Sequence, residues 1–345
     1  MKATKSFVAL SLVAVLAWAG SACGLTSGPT ATALTIYTAR PSSISQPVID
    51  AFEAANPEYK GRVRLLTLGA GEVLERVRAE THRPQADIWW GGTPQQFGEA
   101  VQAGVLSPAR DDVIARVPEQ FRGSDNLWLG EMRTVNLIFY NHAMVEPGQA
   151  PKDWDDLIAP AQKGKLLIRD VAASGTMRSI YGALIGRSYT RTGDPQPGYD
   201  FLRALDRNTE AYVPHPNDLY LRVQRQEAPI SVWNLQDILV QRAKGAPFTP
   251  VAPTSGALMQ LDGVGKIRSG PHGGNADAFL EFLLRPSTQQ MLADRAFQLP
   301  TVPLPRDPAW LAGIDLHEMS VDWATVNREE DKWIDYWVQN IKNHR

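Results

Sequence analysis

The chain has 345 residues, of which 43% are apolar and 21% charged, and it carries a net charge of −2 at neutral pH. That is enough chain for about two domains with true cores, and a balanced charge with no long run of one sign excludes the electrostatic footprint of a nucleic-acid binder. Cys23 is the only cysteine, which excludes an internal disulfide or a thiolate metal cluster.

The amino terminus reads as an export signal. Lys2 and Lys5 precede an apolar run from Phe7 to Trp18, and the small residues Gly20, Ser21 and Ala22 lead into Cys23. The run is too short and wrongly flanked for an ordinary membrane span. A cysteine at this place resembles a bacterial lipoprotein junction, with Gly20 standing where that pattern usually has a larger apolar residue. Residues 1–22 are therefore expected to be a signal peptide. Residues 23–33, small and uncharged, are expected to be a flexible tether, with Cys23 lipidated and the protein exported to the periplasm or the outer face of the cell membrane.

Strands and helices then alternate. Leu34–Thr38 is a β-type run, and Ser42 or Ser43 is placed to cap a helix carrying Ile44, Val48, Ile49 and Phe52 on one face. Asn56-Pro57 ends it. Val63–Leu68 is the second strand, and Gly69-Ala70-Gly71 turns into a helix with Val73, Leu74 and Val77. Ala86–Trp90 is the third strand, followed by a turn at Gly91-Gly92-Thr93 and a helix over Pro94–Ala103. This order predicts a parallel sheet with loops gathered at the carboxyl ends of its strands.

The pattern changes at Thr134–Asn141, a β run long enough to cross between domains. A second α/β set follows: a strand at Leu166–Arg169, a helix over Met177–Tyr189 entered through Ser174-Gly175-Thr176, helices over Tyr199–Leu205 and Asp218–Arg225, a strand at Pro229–Trp233, a helix over Leu235–Lys244 and a strand at Phe248–Val251. A second crossing falls near Pro253–Met259. A strand at Leu261–Ile267, a helix bearing Ala278, Phe279, Phe282 and Leu283, and a final helix with Trp333, Trp337, Val338 and Ile341 on one packing stripe complete the chain. Two crossings predict a discontinuous first lobe (residues 34–133, with its second part and the C-terminal helices in 256–345), an inserted second lobe (134–255) and a hinge around a central cleft.

The ordered set Leu34-Thr-Ile-Tyr37, Pro84-Gln-Ala-Asp-Ile-Trp-Trp90, Leu137-Ile-Phe-Tyr-Asn141, Ala173-Ser-Gly-Thr176, Ile230-Ser-Val-Trp-Asn234 and Asn275–Leu284 ahead of Gln289-Gln290 is similar to the extracellular solute-binding proteins of ABC importers. More narrowly, it resembles the group that receives ferric iron, thiamine, organophosphates and phosphonates. The resemblance implies an α/β, two-lobed type II periplasmic-binding-protein fold. It also implies a receptor that closes over a small solute and delivers it to a membrane permease powered by an ATPase.

Iron receptors of that group use two adjacent tyrosines after the late strand, a carboxylate after the third strand and often a histidine after the first. Here those positions fall at Leu235 and Gln236, at about Gly92 and at about Pro41. Leucine and glycine side chains offer no ligand to a hard cation, and no Tyr-Tyr pair occurs in the chain. The group's anion subsite, a Ser-Gly-small turn at a helix start plus an asparagine, matches Ser174, Gly175, Thr176 and Asn217. A helix start supplies free N–H groups and positive dipole potential, although Ser and Thr also favour such places as ordinary caps. Further cleft candidates are Thr38, Ala39 and Arg40, the last as a fork-shaped oxyanion clamp or a plain loop arginine; Gly91, Gly92 and Thr93; and Trp233, Asn234 and Asp237, for stacking or hydroxyl binding against core packing and a helix-start charge.

Catalytic signatures are missing. There is no G-x-S-x-G, H-E-x-x-H or Walker loop. The reading is a monomeric, cofactor-free receptor for a small anionic, phosphorylated or phosphonate organic solute. Ferric-iron or thiamine (phosphate) binding is the alternative ligand assignment, and an exported phosphoester hydrolase the alternative class.

Overall fold

The structure is a computed structural model and describes residues 33–343. The expected signal peptide, the expected lipidation site at Cys23 and nearly all of the expected tether lie outside the described residues. Ala33, counted above as the end of the tether, is already fastened to the body: its N–H donates to Arg62 O at 2.8 Å, and Asn275 Nδ2 donates to its carbonyl at 2.6 Å.

The elements follow in chain order. The first set is β1 (Leu34–Thr38), α1 (Ser42–Ala55), β2 (Val63–Thr67), α2 (Ala70–Ala79), β3 (Ile88–Trp90), α3 (Pro94–Gln102), β4 (Leu106–Ser107), α4 (Asp111–Ile114) and the long strand β5 (Trp128–Asn141). The second set is β6 (Leu166–Arg169), α5 (Gly175–Thr192), α6 (Gln196–Asn208), β7 (Thr209–Val213), α7 (Pro216–Gln224), β8 (Ile230–Asn234), α8 (Leu235–Ala243) and β9 (Phe248–Val251). Last come β10 (Leu258–Ile267), α9 (Gly273–Leu283), α10 (Pro286–Ala296), β11 (Leu299–Pro300) and α11 (Trp323–Asn340).

Among the described residues the strands join one sheet of eleven, ordered β2-β1-β3-β10-β5-β8-β6-β7, with β4 beside β10 and with β9 and β11 beside β5. The pairs β1–β2 and β1–β3 are parallel, as are β6–β7 and β6–β8. The two crossing strands run antiparallel to each other. At about 3.4 Å per residue, β5 is some 45 Å long, enough to serve two lobes. Its start pairs with Gly263–Gly265 of β10 and its end with Ile230–Asn234 of β8.

Two lobes follow from the cores. In the first lobe, helices α1 and α9 cover one sheet face around Phe52, Trp90, Phe279 and Leu283, and α2 and α3 cover the other around Val73, Trp89 and Phe97. The second lobe gathers around Phe139, Trp154, Ile168, Tyr181 and Phe248.

Several expectations are corrected. Helix α1 is not capped by Ser42 or Ser43, which lie within its first turn. The N-cap is Pro41, whose carbonyl receives the N–H of Ile44 and Ser45. The first crossing strand begins at Trp128 rather than Thr134, because Gly130, Glu131 and Arg133 hide it from an apolar pattern while the fold accommodates all three. The second crossing and the Leu261–Ile267 strand are one strand, β10, with a register shift at Asp262/Gly263.

The final helix packs on the second lobe. Val326, Trp333, Ile334, Trp337 and Ile341 join the second lobe's core, so the carboxyl-terminal residues do not all belong to the first lobe. The chain crosses a third time between Val302 and Met319. Gly182 and Gly186 make this packing possible: a Cβ at either would lie 2.9 Å from a Val326 methyl. Tyr181 and Tyr189 then meet Trp337 and Trp333 edge to face at centroid distances of 5.2 and 5.0 Å. Val338, expected on the packing stripe, is exposed.

Candidate ligand-binding cleft

A cleft of about 1260 Å³ lies between the lobes. Four helices begin at it. Gly71 of α2, Thr93 to Gln96 at the start of α3, Gly175 and Thr176 of α5, and Trp323 of α11 all line its walls. Each turns a positive dipole end toward it, although caps already take the N–H groups of Gln96, Met177 and Thr325. The crossing strands form the floor, with Arg133 and Thr134 from β5 and Met259 to Leu261 from β10.

The sequence-derived candidates fall into two groups. Thr93, Gly175 and Thr176 border the cleft. Ser174 sits beside them as the N-cap of α5; its side chain is 8% exposed and its Oγ accepts the N–H of Met177 at 3.3 Å. The others lie elsewhere. Thr38 is fully buried, and its Oγ1 accepts the N–H of Arg40. Ala39 donates its N–H to Trp90 O and, with Gly91, holds the adjacent turns together. The N–H of Gly92 is taken by Asp262 Oδ1 at 2.7 Å.

Arg40 is not an open clamp. It is 7% exposed and lies between Glu131 (2.5 Å) and Asp262 (3.2 Å). Burial alone would lower its pKa, but the two carboxylates outweigh this and raise it. Glu131 in turn is pushed above the usual carboxylate range by burial, against the pull of Arg40. Trp90 Nε1 and Gln289 Nε2 complete its hydrogen bonds. The triad fastens the loop after β1 to both crossing strands.

The late-strand candidates also form an internal unit. Trp233 is 5% exposed, packed in the second lobe's core and not on the cleft. Asp237 accepts hydrogen bonds from Tyr220 OH (2.7 Å), Trp233 Nε1 (2.9 Å) and Asn234 Nδ2 (3.0 Å), and its own N–H returns to Asn234 Oδ1 at 2.8 Å. Burial and the adjacent carboxylate push the Tyr220 phenol up. Asn217 is exposed in the first turn of α7 and does not line the cleft.

The sequence reading missed the charges of the cleft itself. Arg133 lies on β5 where the chain leaves the first lobe. Its guanidinium carbon lies 5.2 Å from the Phe121 ring centroid, an Nη lies 3.8 Å from Met259 Sδ, and its Nε is buried with no hydrogen-bond partner. No carboxylate among the described residues comes within 4 Å of it. Burial pulls its pKa below the ordinary arginine value, opposed by the more distant Glu318. The Glu318 carboxyl is pushed up by burial against the field of Arg133.

The other lining carboxylates are engaged. Glu75 and Glu99 share Arg78 at the rim (3.2 and 3.9 Å), and Glu330 is held by Arg178 at 3.1 Å. Arg122, the second cleft arginine, is tied to Val117 O. A charged residue inside an apolar β run is the signal that marks Arg133, and it sits one residue before the expected start of that run.

Two α/β lobes joined by crossing strands around an open cleft have the build of a receptor for a small solute. The chain belongs to the bacterial extracellular solute-binding protein family, whose profile matches residues 84–324. It is 25% identical over 294 residues to iron uptake protein A2 of Synechocystis sp., covering 81% of each chain. It is 24% identical over 245 residues to a putative 2-aminoethylphosphonate-binding periplasmic protein of Salmonella typhimurium, covering 69% of each. Among solved structures it is similar to the periplasmic binding protein AfuA of Actinobacillus pleuropneumoniae with fructose-6-phosphate bound, at a TM-score of 0.68 and 24% identity, covering 90% of this chain and 98% of that one. Family membership makes the protein an exported, periplasmic solute-binding component of an ABC importer, partnered by a membrane permease, and a binding protein rather than an enzyme. No helix among the described residues is long and apolar enough to cross a membrane.

Proposed function

We propose that the protein captures a small organic anion, carrying a phosphate or phosphonate group, by closure of the two lobes. The observation that carries this reading is Arg133, a half-buried cation in the cleft floor with an unpartnered Nε and no ion pair. A cation withdrawn from water without a counter-charge is costly, and an oxyanion in the cleft supplies the missing partner in fork geometry. The N–H groups of Gly175 and Thr176 at the start of α5 add donors from the facing lobe. Ser174 shapes that turn as its cap.

The donor set favours an organic anion over ferric iron. Leu235 is 2% exposed, and Gln236 Nε2 donates to Ala296 O at 2.5 Å, so the two positions occupied by tyrosines in iron receptors are spent on packing and on a bond between lobes. Among the described residues no group of three His, Cys, Asp or Glu side chains is placed to hold a metal ion. The protein works as a monomer held to the membrane by lipid on Cys23.

Thermal melting of the mature chain tests the ligand class with inorganic phosphate, phosphomonoesters, alkylphosphonates, thiamine phosphate and ferric citrate. A ligand at a hundred times its Kd stabilises by about 2.7 kcal/mol. Upward shifts with organic phosphates or phosphonates are expected; a shift confined to the ferric salt overturns the assignment.

A further inference from the structure

We propose that helix α11 carries a second subsite in the cleft, one that takes a polyhydroxylated carbon skeleton attached to the anionic group. The inference rests on the anion reading above and extends it to the uncharged part of the solute. Trp323, Asn327 and Glu330 stand at spacings of four and three residues, on one face of α11, and all three line the cleft. Val326, Ile334 and Trp337, flanking that row or continuing it along the helix, are buried in the second lobe.

Trp323 differs from every other described tryptophan. Trp89, Trp90, Trp128, Trp310, Trp333 and Trp337 each pair with another aromatic ring, while Trp154 and Trp233 are buried with Nε1 hydrogen-bonded. Trp323 has neither a ring partner nor an Nε1 bond among the described residues, and it is only partly buried at the cleft wall. The indole packs in part against the second lobe's core, and its remaining surface offers apolar contact and a free N–H to a ligand.

The polar groups around it are amides. The side chains of Asn327 on α11, Gln260 on the floor, and Gln95 and Gln120 on the first lobe line the cleft and make no hydrogen bond to the described residues. A primary amide donates and accepts at once, as a hydroxyl does. An array of such groups beside an indole therefore matches alternating hydroxyls and C–H faces better than it matches a second charge. The subsite also moves with the anion-holding turn. Val326 seats α11 in the Gly182–Gly186 groove, and Arg178 of α5 binds Glu330 at 3.1 Å. Trp323, Asn327 and the anion-holding turn thus belong to one lobe, Gln95 and Gln120 face them from the other, and Arg133 meets the anion from the hinge.

Calorimetric titration of the mature chain with inorganic phosphate, a hexose 6-phosphate and an aryl phosphate tests this. Trp323→Ala and Asn327→Ala are each expected to weaken hexose phosphate binding at least tenfold and to leave inorganic phosphate within twofold, which also shows that the variants fold. Arg133→Met is expected to weaken both ligands together. If Arg133→Met weakens both while the α11 variants leave hexose phosphate unchanged, or weaken both ligands equally, the subsite is overturned and the anion reading stands. If Arg133→Met changes neither, the anion reading itself fails. Tighter binding of the aryl phosphate than of the hexose phosphate, or no binding of the hexose phosphate by the unaltered chain, also overturns the subsite.

Discussion

Replacing Arg133 by Met separates ligand binding from stability. The guanidinium has two interactions within the protein, the Phe121 ring at 5.2 Å and Met259 Sδ at 3.8 Å. The first is worth about 0.5–2 kcal/mol, and methionine keeps most of the apolar stem. Against this stands relief from holding a half-buried cation without an ion pair. The two effects oppose each other, and we expect the unliganded stability to change by no more than about 1 kcal/mol, a shift of about 2–4 °C in Tm. Binding should behave differently. Truncating one partner of a desolvated charge pair costs about 2–5 kcal/mol; because Arg133 is only partly withdrawn from water, the lower end applies, about 2–3 kcal/mol or a 30- to 150-fold loss of affinity. Calorimetry with the phosphate ligand and a urea melt of the empty protein read the two quantities. Affinity unchanged from the parent would refute the reasoning, as would a loss of unliganded stability above about 3 kcal/mol, which would mean that Arg133 serves the fold.

Arg40 predicts the opposite pattern. Arg40→Met leaves Glu131 fully buried without its counter-charge and should destabilise by about 3–5 kcal/mol in urea denaturation; adding Glu131→Leu should recover most of that loss, and no recovery would deny the pairing its role. Gly256 has φ +104°, and a Cβ there would lie 2.7 Å from Met319 Cα, so Gly256→Ala should lower stability by about 1–3 kcal/mol, visible as a lower urea midpoint. Glu318 gives a pH dependence. Its carboxyl is already pushed up by burial, and an anion on Arg133 cancels the field that opposes this, so binding favours the protonated form. Affinity should be highest at acid pH and fall as pH rises through a point above the usual carboxylate range; Glu318→Gln should flatten that slope, and a slope that survives the substitution assigns it to another group.

Much of the fold was legible because its signals are local. The short β-type runs of β1, β6 and β9 each lie within a few consecutive residues, and α1, which tolerates Pro47, closes at Asn56 just before Pro57. What escaped depends on contacts distant in sequence. Glu131 and Arg133 break the apolar pattern of β5, and only the approach of Arg40 to one and Phe121 to the other explains their place. Helix α11 was visible by its stripe of tryptophans, but its allegiance was not: that is decided by two glycines on α5, more than a hundred residues earlier, which leave room for Val326. The same reason governs the cleft. Hydroxyls at Thr93 and Thr176 could be named from their turns. Arg40, Trp233 and Asp237 resembled ligand groups by position, yet Arg40 is ion-paired to Glu131 and Asp262, and Trp233 and Asp237 bond each other, through neighbours that the sequence does not place. Arg133, Trp323 and Asn327 belong to the cleft because strand crossing and helix docking bring them there.

Mass spectrometry of the protein, purified without unfolding under non-denaturing conditions, tests the central claim most directly. The account predicts a one-to-one adduct that dissociates on denaturation to yield a phosphorus-containing organic molecule. An equimolar ferric ion with no organic adduct would contradict it.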